Sequence, residues 1–288
     1  MKNELKLIKP MYPCQDVPVI AFGTRCPKPC LYCDLRLRKF SNEEIIASDI
    51  PEILEKIVNY KGAYFSAITD CLLPENRETT HYLIEEIWKR KSDFVPLVVT
   101  KQIIPQKTID LFVANKKNVV VQISVPSLNE EIVSILEPGA ASIKDRLSTI
   151  EQLTKQGVKV IVVIMTWFNI YKEGESIEEL PQKLAKLGVK KCIVGTAVLP
   201  EKERDEILAA GDDLIVQSVN KMTEIRKATT KIGYTLPLKE RLAAFEKLNN
   251  ACAKFGIQSM ICTADNSDLI GKTKLRLCTK FEHRNFKK

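Results

Sequence analysis

Cys26-Pro27-Lys28-Pro29-Cys30-Leu31-Tyr32-Cys33 decides the reading of this 288-residue chain. Three cysteines stand at C-x3-C-x2-C directly after the apolar run 17–22. Pro27 and Pro29 cannot donate backbone hydrogen bonds, so the segment reads as a turn rather than a regular element. Such a turn can wrap three thiolates around one soft-metal object. Iron–sulfur clusters ordinarily take four thiolates; three leave one iron open for a ligand that is not protein. Zinc asks for a fourth Cys or His nearby, and the next cysteine is Cys71. Chance is a weak rival. With 9 Cys in the chain, about one chain in a hundred of this composition carries the pattern by accident.

Downstream, apolar β-branched runs alternate with amphipathic segments. Strands are expected over 17–22, 63–68, 95–100, 118–125, 157–165 and 189–198. Helices are expected over 41–60 (capped by Ser41, with Glu44 three residues on), 77–91, 105–116, 129–156 (broken at Pro138-Gly139) and 176–187. Near-continuous apolar strands are buried on both faces, hence parallel. Beyond Pro200 the pattern changes to a long helix over 203–232 with a soft spot at Gly211, another over 237–255, and an irregular, polar, basic tail from Gly256. Periodicity alone does not separate a barrel from a doubly wound sheet.

At the cysteine stretch the chain resembles the radical S-adenosylmethionine (SAM) superfamily, whose members carry this spacing after the first barrel strand with an aromatic, here Tyr32, before the third Cys. The resemblance implies an α/β fold: a partial (β/α)6 TIM-type barrel of parallel strands over 1–200 with a helical C-terminal cap over 201–288. It implies a [4Fe–4S] cluster on Cys26, Cys30 and Cys33 whose open iron chelates SAM. One-electron reduction then splits SAM into methionine and a 5′-deoxyadenosyl radical that takes a hydrogen atom from substrate. Within the superfamily the chain looks most like the spore photoproduct lyase group. The marks are Thr69-Asp70, Val99-Thr100-Lys101, Gln122-Ile123-Ser124 and Leu136-Glu137-Pro138-Gly139 with Arg146. By that likeness Lys101 and Ser124 contact SAM, and Tyr32 and Met165 join the cofactor-binding set. An ammonium at a strand end suits a carboxylate, and a hydroxyl suits an amine or ribose.

Asp70 and Cys71 end the second barrel strand and are the catalytic candidates. The group places a hydrogen-donating Cys at the position held here by Ala67, so Cys71 departs from that role and also reads as a buried small hydrophobe. Asp70 and Glu137 suit the N–H edge of a purine-like substrate and equally suit helix caps. Cys14, Cys192, Cys252, Cys262 and Cys278 share no ligand spacing. His81 and His283 read as surface residues, and Trp167-Phe168 as core or an adenine platform.

Composition narrows the setting. The chain is 45% hydrophobic and 28% charged, with no apolar run near 18 residues, so neither a membrane span nor a secretory h-region is expected. Nine cysteines then fit a reducing cytoplasm. Residues 1–40 carry net +5 and 272–288 net +6 of the chain's +8, leaving the middle at −3. Basic ends attract SAM's carboxylate, an acidic electron donor such as flavodoxin or ferredoxin, or nucleic acid, unless they are only solvated tails. The favoured substrate is a small modified nucleobase of the queuine kind, a 7-deazaguanine cleaved in queuosine salvage. The rivals are a DNA-lesion lyase of spore photoproduct type and a zinc-bound nucleic-acid-binding module.

Overall fold

β1 (Leu5–Ile8) pairs antiparallel with both β2 (Val19–Phe22) and β3 (Ile45–Ala47), and from β2 onward the sheet is parallel. In turn α1 (Ile50–Ile57) leads to β4 (Gly62–Phe65), α2 (Pro74–Arg90) to β5 (Val95–Thr100), and α3 (Gln106–Ala114) to β6 (Val120–Ser124). Then α4 (Glu130–Leu136) and α5 (Ile143–Lys155) lead to β7 (Lys159–Trp167), and α6 (Glu179–Lys186) to β8 (Lys191–Thr196). The chain leaves the sheet through α7 (Glu201–Ala209), α8 (Asp213–Asn220), a hairpin of β9 (Glu224–Lys227) and β10 (Ile232–Thr235), and α9 (Leu238–Lys254). It returns as β11 (Gln258–Cys262) and β12 (Leu277–Cys278), both parallel to their neighbours. This computed structural model describes residues 5–10, 17–23, 26, 28–33, 43–65, 69–228 and 231–278.

The spatial order β12-β11-β8-β7-β6-β5-β4-β2-β1-β3 decides between the two parallel architectures. A doubly wound sheet reverses its winding at a switch point. Here every crossover from β2 to β8 steps the same way, so right-handed connections set all the helices on one face and the sheet curls into an open barrel. The two faces are distinct in composition. Phe65, Val98, Val121, Val162 and Val194 pack outward against Ile53, Leu83, Phe112 and Leu153 of the helices. The alternate positions Leu97, Val120, Ile161, Ile193 and Met260 meet one another inside. Each such side chain contributes roughly 1.5–3 kcal/mol on burial. Among the described residues no helix is long and apolar enough to cross a membrane.

Four expectations need correction. The helix expected over 41–60 begins only at Ile50. Ile45–Ala47 is a short strand whose β-branched residues pair with β1, and Asp49, not Ser41, caps the helix by accepting from the Glu52 amide at 2.9 Å. Ser41 itself lies outside the described residues. The second correction is β1, which was not expected. Third, the long helix over 203–232 is two helices and a hairpin: Gly211 takes φ +77, which favours glycine, and Asp212 caps a new start at α8. Fourth, the tail from Gly256 is not wholly irregular, since β11 and β12 extend the parallel sheet.

The hairpin is a two-stranded sheet of its own, marginal without support. Its support is a bridge in which Leu199 and Tyr234 exchange backbone hydrogen bonds of 2.9 and 2.7 Å. Gly233 makes the approach possible, because a Cβ there would lie 2.4 Å from the Leu199 carbonyl carbon and oxygen. Gly233→Ala should therefore cost about 1–3 kcal/mol, read as a lower denaturant midpoint. An unchanged midpoint would contradict this packing.

Candidate active site

The cysteine loop starts where β2, buried along its whole length, delivers Gly23 at φ +67. Cys30 and Tyr32 are buried while Cys26 and Cys33 are half-buried, and the Cys33 amide donates to the Cys30 carbonyl at 3.1 Å to close a tight turn. Burial pushes the Cys26 thiol up, against the backbone N–H groups of Lys28 and Asp70. Burial also pushes Cys30 up, against the ammonium of Lys101. Cys33 raises both thiols further, and Cys26 adds to the rise of Cys30, so the three sit within electrostatic reach of one another. Among the described residues no three His, Cys, Asp or Glu side chains converge as on a single ion. A four-iron cube is larger than one ion, and its ligands stand correspondingly farther apart. The donor set, three thiols with a cation alongside, fits an anionic cluster.

One segment grips this loop from the side. The Leu31 amide donates to the Leu136 carbonyl at 3.0 Å, and Lys28 Nζ donates to the Gly139 carbonyl at 2.6 Å. Between them Glu137, at the C-cap of α4, turns its carboxylate inward. Tyr32 donates its hydroxyl to Glu137 Oε1, and Lys101 Nζ reaches the Tyr32 oxygen at 2.5 Å and Glu137 Oε1 at 3.0 Å. Arg146 NH1 meets Glu137 Oε2 at 2.6 Å, with both side chains fully buried. The same guanidinium donates to the carbonyls of Ala141 and Ser124 at 2.8 and 2.9 Å, which ties the hub to the end of β6. The Ala141 amide completes the ring by donating to the Lys101 carbonyl at 2.9 Å.

The charges of the hub follow from its surroundings. Burial pushes the Glu137 carboxyl up, but Lys101, Arg146 and the Tyr32 hydrogen bond outweigh it and hold the group below the usual glutamate range. Burial pulls Lys101 down, and Glu137 and Tyr32 reverse that to leave it well above the ordinary lysine value. Burial and then Glu137 push Tyr32 well up. At neutral pH the hub is one carboxylate, one ammonium, one guanidinium and a neutral phenol, a net single positive charge beside Cys30.

The structure gathers four predicted residues here: Tyr32, Lys101, Cys30 and, through its carbonyl, Ser124. Asp70 stands next to them. Its carboxylate accepts from the Lys101 amide at 2.8 Å and the Thr100 hydroxyl at 2.9 Å, and from the Leu72 amide at 2.9 Å, so it joins the ends of β4 and β5. Burial pushes its pKa up against these bonds. Cys71 is turned the other way, fully buried in the core beneath the helices. Met165 lies inside the barrel against Gly195, and its side chain fills the space a Cβ at that glycine would need. Phe168 packs beside Tyr32 with ring centroids 6.3 Å apart, whereas Trp167 turns to Phe245 of α9. His81 is buried against Thr108 rather than on the surface. Cys14, Ala67 and His283 lie outside the described residues. Arg146 was legible only as a family mark, yet Glu137 carried a physical signal. An acid at a helix C-terminus opposes the helix dipole and calls for a cation.

The Radical SAM superfamily profile matches residues 20–180. Protein ORF301 of Acidianus two-tailed virus is 30% identical over 133 residues, 45% of this chain and 44% of the viral protein, so the match spans less than half of that relative. Among solved structures, spore photoproduct lyase complexed with dinucleoside spore photoproduct is similar at TM-score 0.63 and 17% identity, covering 82% of this chain and 73% of that one. Streptococcus suis SuiB bound to S-adenosylmethionine is similar at TM-score 0.54 and 13% identity, covering 87% and 48%. At these identities the structural likeness is one of fold.

The buried pair sets a stability test on protein free of cofactor. Arg146→Met should cost about 3–5 kcal/mol, because it strips a partner from a buried carboxylate. Lys155→Met, which breaks the exposed pair with Glu151, should leave the midpoint nearly unchanged. The lowered Glu137 pKa adds stability above the unfolded value and loses it as pH falls. The gap between wild type and Glu137→Gln should therefore narrow below about pH 4.3.

Proposed function

Because this chain belongs to the radical SAM superfamily, we propose that it is a radical SAM lyase acting on a small modified nucleobase of the 7-deazaguanine kind, with C–N or C–C cleavage. It is a radical SAM enzyme with a [4Fe–4S] cluster and SAM as cofactors, and membership of this family displaces the zinc reading of the three cysteines. When bound, these cofactors supply the 5′-deoxyadenosyl radical. Cys26, Cys30 and Cys33 hold the cluster. Lys101 has three N–H donors and spends two on Tyr32 and Glu137, leaving the third for SAM's carboxylate. Ser124, buried at the end of β6, suits SAM's amine or ribose.

The observation that carries the substrate reading is a second apolar cluster. It joins Cys30 and Tyr32 to Phe168, Ala197 and Leu199 after β7 and β8, and to Ile207, Ile215 and Val219 of α7 and α8. Within 201–288 it is α7 and α8 that act in this reading as the cap, covering the cysteine loop and excluding water. A closed, dry site protects a reactive intermediate and suits a substrate small enough to be engulfed. A lesion in DNA is the second reading. It is favoured by the fold shared with a lyase solved with a dinucleoside lesion, and by the basic ends, which suit phosphates.

Anaerobic reconstitution should load about four irons per chain and yield reductive cleavage of SAM. Lys101→Ala should weaken SAM binding by about 1.5–3 kcal/mol, measured by equilibrium dialysis. Turnover with SAM and dithionite, offered queuine and spore-photoproduct DNA separately, should give a cleaved base by mass spectrometry. Repair of the DNA with no attack on the base would replace the first reading with the second.

A further inference from the structure

We infer that Glu137 is a positioning residue of the cluster site: its carboxylate, held by Arg146, fixes the Tyr32 hydroxyl and the Lys101 ammonium and sets the charge beside Cys30. Four connections to the cysteine loop converge on 136–139 and Lys101. They are Leu31 to the Leu136 carbonyl, Lys28 to the Gly139 carbonyl, and Tyr32 to both Glu137 and Lys101. Among the described residues only Glu137 touches all three of Tyr32, Lys101 and Arg146. The Glu137–Arg146 pair is closed to solvent, with both side chains 0% exposed, while the Lys101 side chain keeps 25% exposure.

The same contacts carry a charge argument. Two cations face one anion, and in a largely buried site a fixed charge is screened less than in water. A cluster ligated by three thiolates gains negative charge when reduced, so nearby cations favour the reduced form and a nearby anion opposes it. Lys101 and Glu137 both meet the Tyr32 hydroxyl, two residues from Cys30, so their opposite charges stand at the same turn of the cysteine loop. Glu137 thus restrains the pull of Lys101 and Arg146 while holding Lys101 in one place. A residue that only braced the fold would hold Lys101 in place without moving the cluster's potential.

The test uses anaerobically reconstituted full-length protein and reads the cluster's midpoint potential by dithionite titration, with iron content and SAM affinity alongside. Glu137→Gln keeps the size and removes the charge, and should keep its iron while moving the potential to more positive values. Lys101→Met should move it to more negative values, and this variant carries the test if Glu137→Gln does not load iron. Opposite shifts support a charge-setting hub. Iron-loaded variants whose potentials match wild type overturn it and leave Glu137 as a structural brace.

Discussion

A fully buried carboxylate is the constraint on which this site depends. Glu137 survives burial only because Arg146 and Lys101 face it and Tyr32 donates to it. Isolated charges are expensive in protein interiors, and a buried pair is stable only when its remaining donors and acceptors are also met. Here most of those extra bonds are made: to β6 through Ser124, to the loop before α5 through Ala141, and to the cysteine loop through Tyr32, while the second terminal nitrogen of Arg146 has no hydrogen-bond partner among the described residues. Satisfying one charge therefore draws three separate pieces of the chain into register.

The scaffold beneath is simpler. Six parallel strands stepping in one direction gather their C-terminal ends on one side, which is where barrel folds carry their chemistry. The cysteine loop follows β2, Asp70 follows β4, Lys101 follows β5, and Glu137 with Arg146 follows β6. Residues far apart in sequence thus become neighbours without any one element being long. Asp70 adds the cross-brace, since its single carboxylate locks the turn after β4 to the end of β5. That fixes the backbone from which Lys101 reaches the hub.

Much of this was legible in the sequence. The three cysteines and two prolines identify the loop, and the β-branched runs identify the parallel strands because burial on both faces removes polar alternation. Lys101 and Tyr32 were marked as site residues, although the bond between them was not. What the sequence concealed has physical causes. Ile45–Ala47 is too short to show a period, and its neighbour Ser41 imitates a helix cap. The hairpin of β9 and β10 is a tertiary product, made by Gly233 passing over Leu199. β11 hides because its partner β8 lies a long way back along the chain, and local pattern cannot report a distant edge. Arg146 looks like any helical arginine until the carboxylate opposite is known.

The late return of the chain also bears on how the molecule is made. β8 can complete its pairing only when β11 arrives, after α7, α8, the hairpin and α9 have been synthesised. Until then a nascent barrel carries a long, apolar, unpaired edge, the kind of template on which partly made chains associate. The opposite edge is guarded early by the antiparallel β1 and the three-residue β3, and in the finished protein the far edge is blunted by a β12 of two residues. The interval between β8 and β11 is thus a window of vulnerability on the ribosome; α9, packed through Phe245 and Leu248 into the main core, leads straight into β11, whose pairing with β8 closes it.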